Sequence, residues 1–161
     1  MDVKRFGLIA MILVASASLG AAEHGREAAG EDGLVRSRSP YGVEETLDRF
    51  EKAAAEKGLN VFARIDHAEA ADRIGAELRP TALLIFGSPE IGTRLMQSRQ
   101  TIGIDLPLKL LAWQDAEGRT WLAYPAPSLL VRRHGIRDRE EVVAGMEKAL
   151  AGLVAATTAR S

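Results

Sequence analysis

A helical period of apolar residues runs through positions 41–57. Val43, Leu47, Phe50 and Ala54 are separated by 4, 3 and 4 positions, which places them on one face of a helix. A glycine follows directly afterwards, as is typical of a helix end. The pattern therefore predicts one long amphipathic helix in this segment.

Alternating positions and apolar runs predict the strands. In Leu59–Ile65 every second residue is apolar, which predicts a strand with one buried face. The apolar run Pro80–Phe86 predicts a central strand covered on both faces. Leu108–Gln114 and Arg119–Tyr124 are expected to form a hairpin, and Leu34–Ser39 an edge strand.

The turn of this hairpin has the composition of a type I turn followed by a bulge, with Gly118 in the left-handed conformation. In that register Asp115 lies beside Arg119, and Trp113 opposes Trp121. Both tryptophans of the chain then form one cross-strand pair.

Two helices are expected to interrupt the strands. Asp66 has the position of an N-cap for a helix that runs from the next residue to about Leu78. Ser88 and Pro89 suit the cap and first residue of a second helix.

Two further helices are expected after the hairpin. Residues 128–135 suit a short helix, and Asp138 is expected to cap the last one, whose tail from Thr157 is expected to fray. The element order predicts an α+β domain, a two-layer α/β sandwich with one mixed sheet and helices packed on it. The other face of that sheet is a candidate surface for pairing two copies into a homodimer.

Residues 1–22 have the three-part layout of a secretory signal peptide: a basic start, an apolar run and small residues at the end. The apolar run, about 14 residues, is shorter than the roughly 20 that a membrane-spanning helix needs. Cleavage is expected after Ala22, with Ala21 as the alternative, leaving a periplasmic or secreted protein without a membrane anchor. Residues 23–38 are expected to be a flexible linker that ends in the edge strand.

Composition excludes several classes of function. The chain has 161 residues, no cysteine and a formal net charge of -1. Without cysteine it has no disulfide, no thiolate metal site and no cysteine nucleophile. The near-neutral charge argues against a nucleic-acid partner bound by bulk positive charge.

Several short blocks of the chain, in a fixed order, carry a family resemblance. They are Gly42–Leu47, Phe62–His67, Leu78–Thr81, Phe86–Pro89, Gly92–Thr93, Leu95–Gln97, Gly103–Lys109 and Trp121–Tyr124. With these blocks, residues 39–135 resemble the DUF302 family, a family of domains of unknown function. The resemblance implies a compact α/β domain but no established activity, so it assigns no catalytic residue. The last helix and tail, 136–161, lie outside it. Ser88 stands where the family often has asparagine, and the acidic residue typical near Pro125–Pro127 is missing here.

The residues Asp66 and His67 are the first candidates for chemistry. At a strand-to-helix junction, Asp66 suits an orienting group or ligand and His67 a base or metal ligand. The alternative is purely structural, with Asp66 as the cap and His67 in the first turn.

Other candidates are spread along the chain. Lys109 lies beside Trp113 on one strand face and is a candidate to line a ligand pocket, with Tyr124 joining the same surface. His134 is a candidate ligand for an anion or, with His67, for a metal or haem. His24 becomes a candidate copper ligand if cleavage follows Ala21.

These residues leave three hypotheses open. The first is an exported module that binds a small ligand or a partner. The second is a metal- or haem-binding protein that uses His67 and His134. The third is a hydrolase-type enzyme that uses Asp66 and His67. No cofactor follows from the sequence. It contains no Gly-x-Ser-x-Gly elbow, no His-Glu-x-x-His pair, no acidic calcium loop and no dinucleotide fingerprint.

Overall fold

The computed structural model describes residues 29–160, in which five strands form one open sheet in the order β1–β5–β4–β3–β2. The domain is α+β, as predicted. The strands are β1 (Leu34–Ser39), β2 (Asn60–Asp66), β3 (Thr81–Gly87), β4 (Leu108–Gln114) and β5 (Thr120–Pro125). The helices are α1 (Val43–Glu56), α2 (His67–Asp72), α3 (Pro89–Ser98), α4 (Pro127–Arg133) and α5 (Glu140–Thr158), with a 3₁₀ helix at Gln100–Ile104.

All neighbouring strands run antiparallel, so the prediction of a mixed sheet was wrong. A parallel pair needs a crossover that returns the chain to the end where the first strand began. Here α2 joins β2 to β3, and α3 with the 3₁₀ helix joins β3 to β4, yet each connection leads into an adjacent antiparallel strand. A helix between two strands therefore did not signal a parallel pair.

The core lies on one face of the sheet. Leu84 and Phe86 of β3 are fully buried, together with Leu47 and Phe50 of α1. The rings of Phe50 and Phe86 meet edge to face, with centroids 4.9 Å apart. Burial alternates along β3. Among residues 29–160, α1 and α5 pack on the same side of the strand, so it lacks the predicted cover on both faces within this part of the chain.

β2 is an edge strand without the buried face that its alternation predicted. Val61 and Ile65 are each 39 % exposed. A bulge between Val61 and Ala63 breaks the register against β3. Arg64 ties the strand to α1 by ion pairs of 2.6 Å with Asp48 and 2.7 Å with Glu44.

The β4–β5 hairpin confirms the predicted register. Trp113 pairs with Trp121, and their rings stack with centroids 6.4 Å apart. Gly118 has a φ of 76°. Asp115 accepts hydrogen bonds from Arg119 Nε at 2.7 Å and Trp121 Nε1 at 2.8 Å. Desolvation alone would raise the pKa of Asp115, but these hydrogen bonds hold that pKa well below its ordinary value.

α2 ends six residues earlier than predicted. Gly75 adopts a φ of 72° and donates to the carbonyl of Asp72, while Ala76 donates to that of Ala71. This pairing is a Schellman motif. The glycine therefore ends the helix, and Leu78 lies in the following loop, where it is 49 % exposed.

α5 differs from its prediction at both ends. Asp138 does not cap it, because its carboxylate instead accepts from Ser98 Oγ at 2.5 Å, which lowers its pKa. The tail does not fray through Thr157 and Thr158, which are buried within the helix. Arg49 Nε donates to the carbonyl of Thr157 at 2.9 Å and so holds the helix end against α1.

The predicted signal peptide, residues 1–22, and His24 lie outside the described residues. Between residues 29 and 160, no helix has both the length and the apolar character that crossing a membrane requires.

Candidate functional site

An apolar cavity of about 240 Å³ lies where α3 and α5 meet one end of the sheet. Four separate segments form its walls: the start of β2, the turn after β3 with α3, the loop before β4, and α5. The lining residues are Leu59, Phe62, Gly87, Ser88, Pro89, Ile91, Gly92, Thr93, Met96, Gly103, Leu106, Pro107, Leu108, Met146, Ala149, Leu150 and Leu153.

The wall formed by α3 follows from how that helix begins. Ser88 caps it by accepting a long hydrogen bond, 3.4 Å, from the backbone of Ile91, and Pro89 is its first residue, as predicted. Gly92 and Met96, four residues apart, then share one side of the helix. A Cβ on Gly92 would lie 3.7 Å from Leu106, so the glycine leaves the cavity open at this point.

The wall formed by α5 is a stripe of Met146, Ala149, Leu150 and Leu153. Their spacing of 3 and 4 positions places them on one helix face. Met146 and Leu150 also belong to the core. The same stripe therefore closes the core and lines the cavity.

No charged side chain lines this cavity within the described part of the chain. Its polar side chains are the hydroxyl groups of Ser88 and Thr93. Burying a charge in such surroundings is unfavourable without a partner, so the cavity suits a neutral molecule.

A polar cluster lies on the loop that forms one cavity wall. His134 Nε2 is 2.6 Å from Asp105 Oδ2, and its Nδ1 is 3.1 Å from Thr101 Oγ1. Arg133 pairs with the other oxygen of Asp105 at 3.1 Å. Lys109 Nζ donates to the carbonyl of Asp105 at 3.1 Å. These contacts fix the segment that carries Leu106 and Pro107 to the cavity.

Asp66 and His67 lie away from this loop. Asp66 caps α2 by accepting from the backbone of Glu69 at 2.9 Å, and His67 is exposed. Asp66 pairs with Ala82, whereas Leu108, next to the Asp105 loop, pairs with Phe86. Ala82 and Phe86 are four residues apart along β3, a distance of roughly 13 Å.

The fold therefore does not bring His67 and His134 together. Over residues 29–160, no group of three or more histidine, aspartate or glutamate side chains is arranged to hold a metal ion.

Tyr124 and Lys109 lie on opposite faces of the sheet. Tyr124 belongs to the buried core, whereas Lys109 alternates with the buried Leu108 and Leu110. Lys109 and Trp113 share one face of β4, as predicted. Tyr124 does not join them, because its neighbour Ala123 pairs with Leu111 on that face and successive side chains of a strand point to opposite faces.

None of the five residues singled out for ligand binding in the described chain lines the cavity. Those residues are candidates because of their polar chemistry, whereas the cavity is lined almost entirely by apolar groups. The available signal was the helix beginning at Ser88 and the apolar stripe of α5, but a capped helix start and an apolar helix stripe are equally typical of helices that pack on a core.

Comparison with known proteins places the chain in a family. The model of the family described as "Domain of unknown function DUF302" matches residues 35–153. The chain belongs to the DUF302 family. The match takes in most of β1 and most of α5, both of which contribute to the buried core.

A solved DUF302 protein has the same fold. The crystal structure of an uncharacterised conserved DUF302 protein from Bacillus stearothermophilus superposes with a TM-score of 0.72 at 25 % sequence identity. The superposition covers 78 % of this chain and 98 % of that one.

Curated relatives carry the name of a channel. "Fluoride-specific ion channel FluC 1" of Brucella suis is 45 % identical over 106 residues, which is 66 % of this chain and 42 % of that protein. "Fluoride-specific ion channel FluC 2" of Brucella melitensis is likewise 45 % identical over 106 residues, 39 % of its length. The matched region thus spans about two fifths of these relatives.

Several segments that resemble the DUF302 family converge on the cavity. Residues 86–89, 92–93, 95–97 and 103–109 each contribute to its lining, although they are separate in the chain. Gly87 also approaches the loop closely, since a Cβ there would lie 3.6 Å from Pro107.

Proposed function

We propose that this DUF302 domain binds a small, neutral, largely apolar molecule in the cavity between α3 and α5. The observation that carries the proposal is the cavity lining, which is apolar apart from Ser88 and Thr93. Ligand sites are typically concave and mostly apolar, with a few polar groups that orient the ligand.

The cavity volume indicates the size of the ligand. An apolar cavity of roughly 150 Å³ stays dry and holds benzene or xenon. The volume here is about 240 Å³, which suits a bicyclic aromatic or a medium-length aliphatic chain. The hydroxyl groups of Ser88 and Thr93 suit a single hydroxyl or carbonyl group on that molecule.

Fluoride binding in this cavity is not part of the proposal. A small hydrated anion needs several donors to replace its water, and this lining offers two side-chain hydroxyl groups.

We further propose that residues 1–22 direct export to the periplasm, as their layout supports, and that two copies of the domain pair.

The proposal predicts selective binding of an uncharged probe. Naphthalene is expected to bind the purified full chain in isothermal titration calorimetry, with saturation at one molecule per chain. Naphthalene-2-sulfonate carries the same ring system and one negative charge, so it serves as the matched control. We expect it to bind at least tenfold more weakly, because the lining has no cation to pair with it.

Two results would contradict the proposal. Absence of naphthalene binding would show that the cavity does not accept a molecule of this size. Equal affinity for both probes would show that binding occurs at a surface where the sulfonate stays in water.

A further inference from the structure

A hydroxyl, an imidazole and a carboxylate form a hydrogen-bonded chain beside the loop that precedes β4. Nδ1 of His134 lies 3.1 Å from the hydroxyl oxygen of Thr101, and its Nε2 lies 2.6 Å from Oδ2 of Asp105. A carboxylate can only accept a hydrogen bond, so the proton of the neutral imidazole is on Nε2. Nδ1 then accepts the hydrogen bond that the Thr101 hydroxyl donates, and it can take the proton of that hydroxyl.

The hydrogen-bonded chain leads from a shielded imidazole to an accessible hydroxyl. The side chain of His134 is 8 % exposed and that of Asp105 is 17 % exposed, whereas Thr101 is exposed. A substrate can therefore reach the hydroxyl oxygen from solvent, while the imidazole behind it is largely kept from water. A hydroxyl in contact with a base, and a base oriented by a third group, is the arrangement that activates a nucleophile.

Two anchored segments carry the three residues. Thr101 lies in the 3₁₀ helix and Asp105 directly follows that helix, whose central residue Ile102 is fully buried. His134 directly follows α4, and the buried Ile136 fixes the turn after it in the core. Because both segments are packed into the domain, the hydroxyl, the imidazole and the carboxylate are held in place before a substrate arrives.

The carboxylate of Asp105 is oriented by contacts on its other side. Its Oδ1 pairs with Arg133 at 3.1 Å, which leaves Oδ2 for His134. The backbone carbonyl of Asp105 accepts a hydrogen bond from Lys109 Nζ at 3.1 Å. The side chain of Arg133 is 63 % exposed, so this ion pair adds little stability. Its effect is to fix the rotation of the carboxylate toward the imidazole.

We propose that Thr101, His134 and Asp105 form a catalytic triad that hydrolyses aryl esters of small carboxylic acids. Thr101 supplies the nucleophile, His134 is the general base, and Asp105 is a positioning residue that acts through His134. The methyl group beside the threonine hydroxyl crowds the attacked carbonyl carbon, which favours a small acyl group. An aryl alcohol leaves readily, which suits an exposed site. The inference does not depend on what the cavity binds.

The reaction proceeds in two steps. In the first, the Thr101 oxygen bonds to the carbonyl carbon of the ester and gives its proton to Nδ1 of His134. The bond to the aryl oxygen breaks, and the alcohol leaves with that proton. In the second, a water molecule attacks the acyl group on Thr101 and gives a proton to Nδ1. The bond to the Thr101 oxygen then breaks, that oxygen recovers the proton, and the carboxylic acid is released.

Hydrolysis of 4-nitrophenyl acetate by the full chain tests the triad. We expect turnover above the rate in buffer, and mass spectrometry of the quenched reaction is expected to find one acetyl group on Thr101. Hydroxylamine removes an acetyl ester but not an acetyl amide, which separates this adduct from acetylated lysine. Thr101→Ala is expected to lose the adduct and roughly hundredfold in kcat/KM, since a positioned base contributes about 10²–10⁴-fold. Thr101→Ser is expected to keep both.

Three further variants separate catalysis from structure. Asp105→Asn is expected to lower kcat with little change in KM, because an amide no longer fixes the ring tautomer of His134. Thr81→Ala removes a hydroxyl at the start of β3 that bonds only a neighbouring carbonyl, and His67→Ala removes an exposed imidazole. Both are expected to hydrolyse the ester as the unmodified chain does. Circular dichroism melting checks folding, and Thr101→Val, which keeps the side-chain shape, replaces Thr101→Ala if that variant does not fold.

Three results would overturn the inference. Hydrolysis no faster than in buffer would show that the hydroxyl is not activated. Full activity in Thr101→Ala, with acetyl groups on lysine alone, would mean that the hydrogen-bonded chain only joins the 3₁₀ helix to α4. Loss of activity in His67→Ala would place the reaction at the other end of the sheet.

Discussion

Gly92→Leu is expected to abolish naphthalene binding while leaving the domain folded. A side chain at this position begins in the space between Leu106 and Met96, 3.7 and 4.0 Å from their nearest atoms. The leucine side chain then occupies volume that the ligand needs. Because Gly92 lies within α3, the change also removes a glycine from a helix, which favours the helix by up to about 1 kcal/mol.

The matched control is Gly145→Leu. Gly145 lies in α5, is exposed and has no neighbouring atom within 4 Å of a built Cβ. The Gly145→Leu substitution makes the same chemical change in a helix without entering the cavity. The affinity for naphthalene is therefore expected to stay as in the unmodified chain. Calorimetric titration of both variants, with a thermal melt of each, gives the comparison. If Gly92→Leu bound naphthalene with full affinity, the ligand would have to lie outside this cavity.

Phe86→Ala is expected to lower the free energy of unfolding by about 3–5 kcal/mol. Phe86 is fully buried on the helix-covered face of β3, and its ring packs against that of Phe50 at an interplanar angle of 75°. Removing the ring loses its burial and leaves a cavity that the strand and α1 cannot close without moving.

Urea denaturation of Phe86→Ala and of Phe62→Ala measures this loss against a matched change. Phe62 is 52 % exposed on the edge strand β2, so its removal is expected to cost far less. Similar losses for both variants would contradict the placement of the core on one face of β3.

Local patterns predicted the elements whose neighbours are close in sequence. The β4–β5 hairpin is set by its own turn, so the pairing of Trp113 with Trp121 followed from the residues between them. α1 likewise followed from the spacing of its apolar face, because that face is a property of one segment.

Elements that depend on distant segments were predicted less well. Alternation in Leu59–Ile65 does not reveal that the strand ends up at the edge of the sheet, where Val61 and Ile65 stay exposed. The end of α5 is held by Arg49, 108 positions earlier in the chain. Neither the edge position of β2 nor the contact of Arg49 with α5 is indicated by the residues next to it in the sequence.

The candidate site was missed for a related reason. Polar residues such as His67 and His134 are candidates because their side chains have a specific chemistry. The fold, however, places these two histidines at separate ends of the sheet. The cavity is instead assembled from four segments whose apolar residues have the same pattern as core residues. Only their arrangement in space shows that they enclose a cavity.

Methionine methyl NMR tests the cavity proposal most directly. Met96 and Met146 line the cavity, and the other two methionines, Met1 and Met11, lie outside the described residues. The full chain, labelled at the methionine methyl groups, is titrated with naphthalene, and Met96→Leu assigns the signals. The account predicts large ring-current shifts of the Met96 and Met146 methyl signals, absent in Gly92→Leu and retained in Gly145→Leu. Unchanged Met96 and Met146 signals at saturating naphthalene would contradict it.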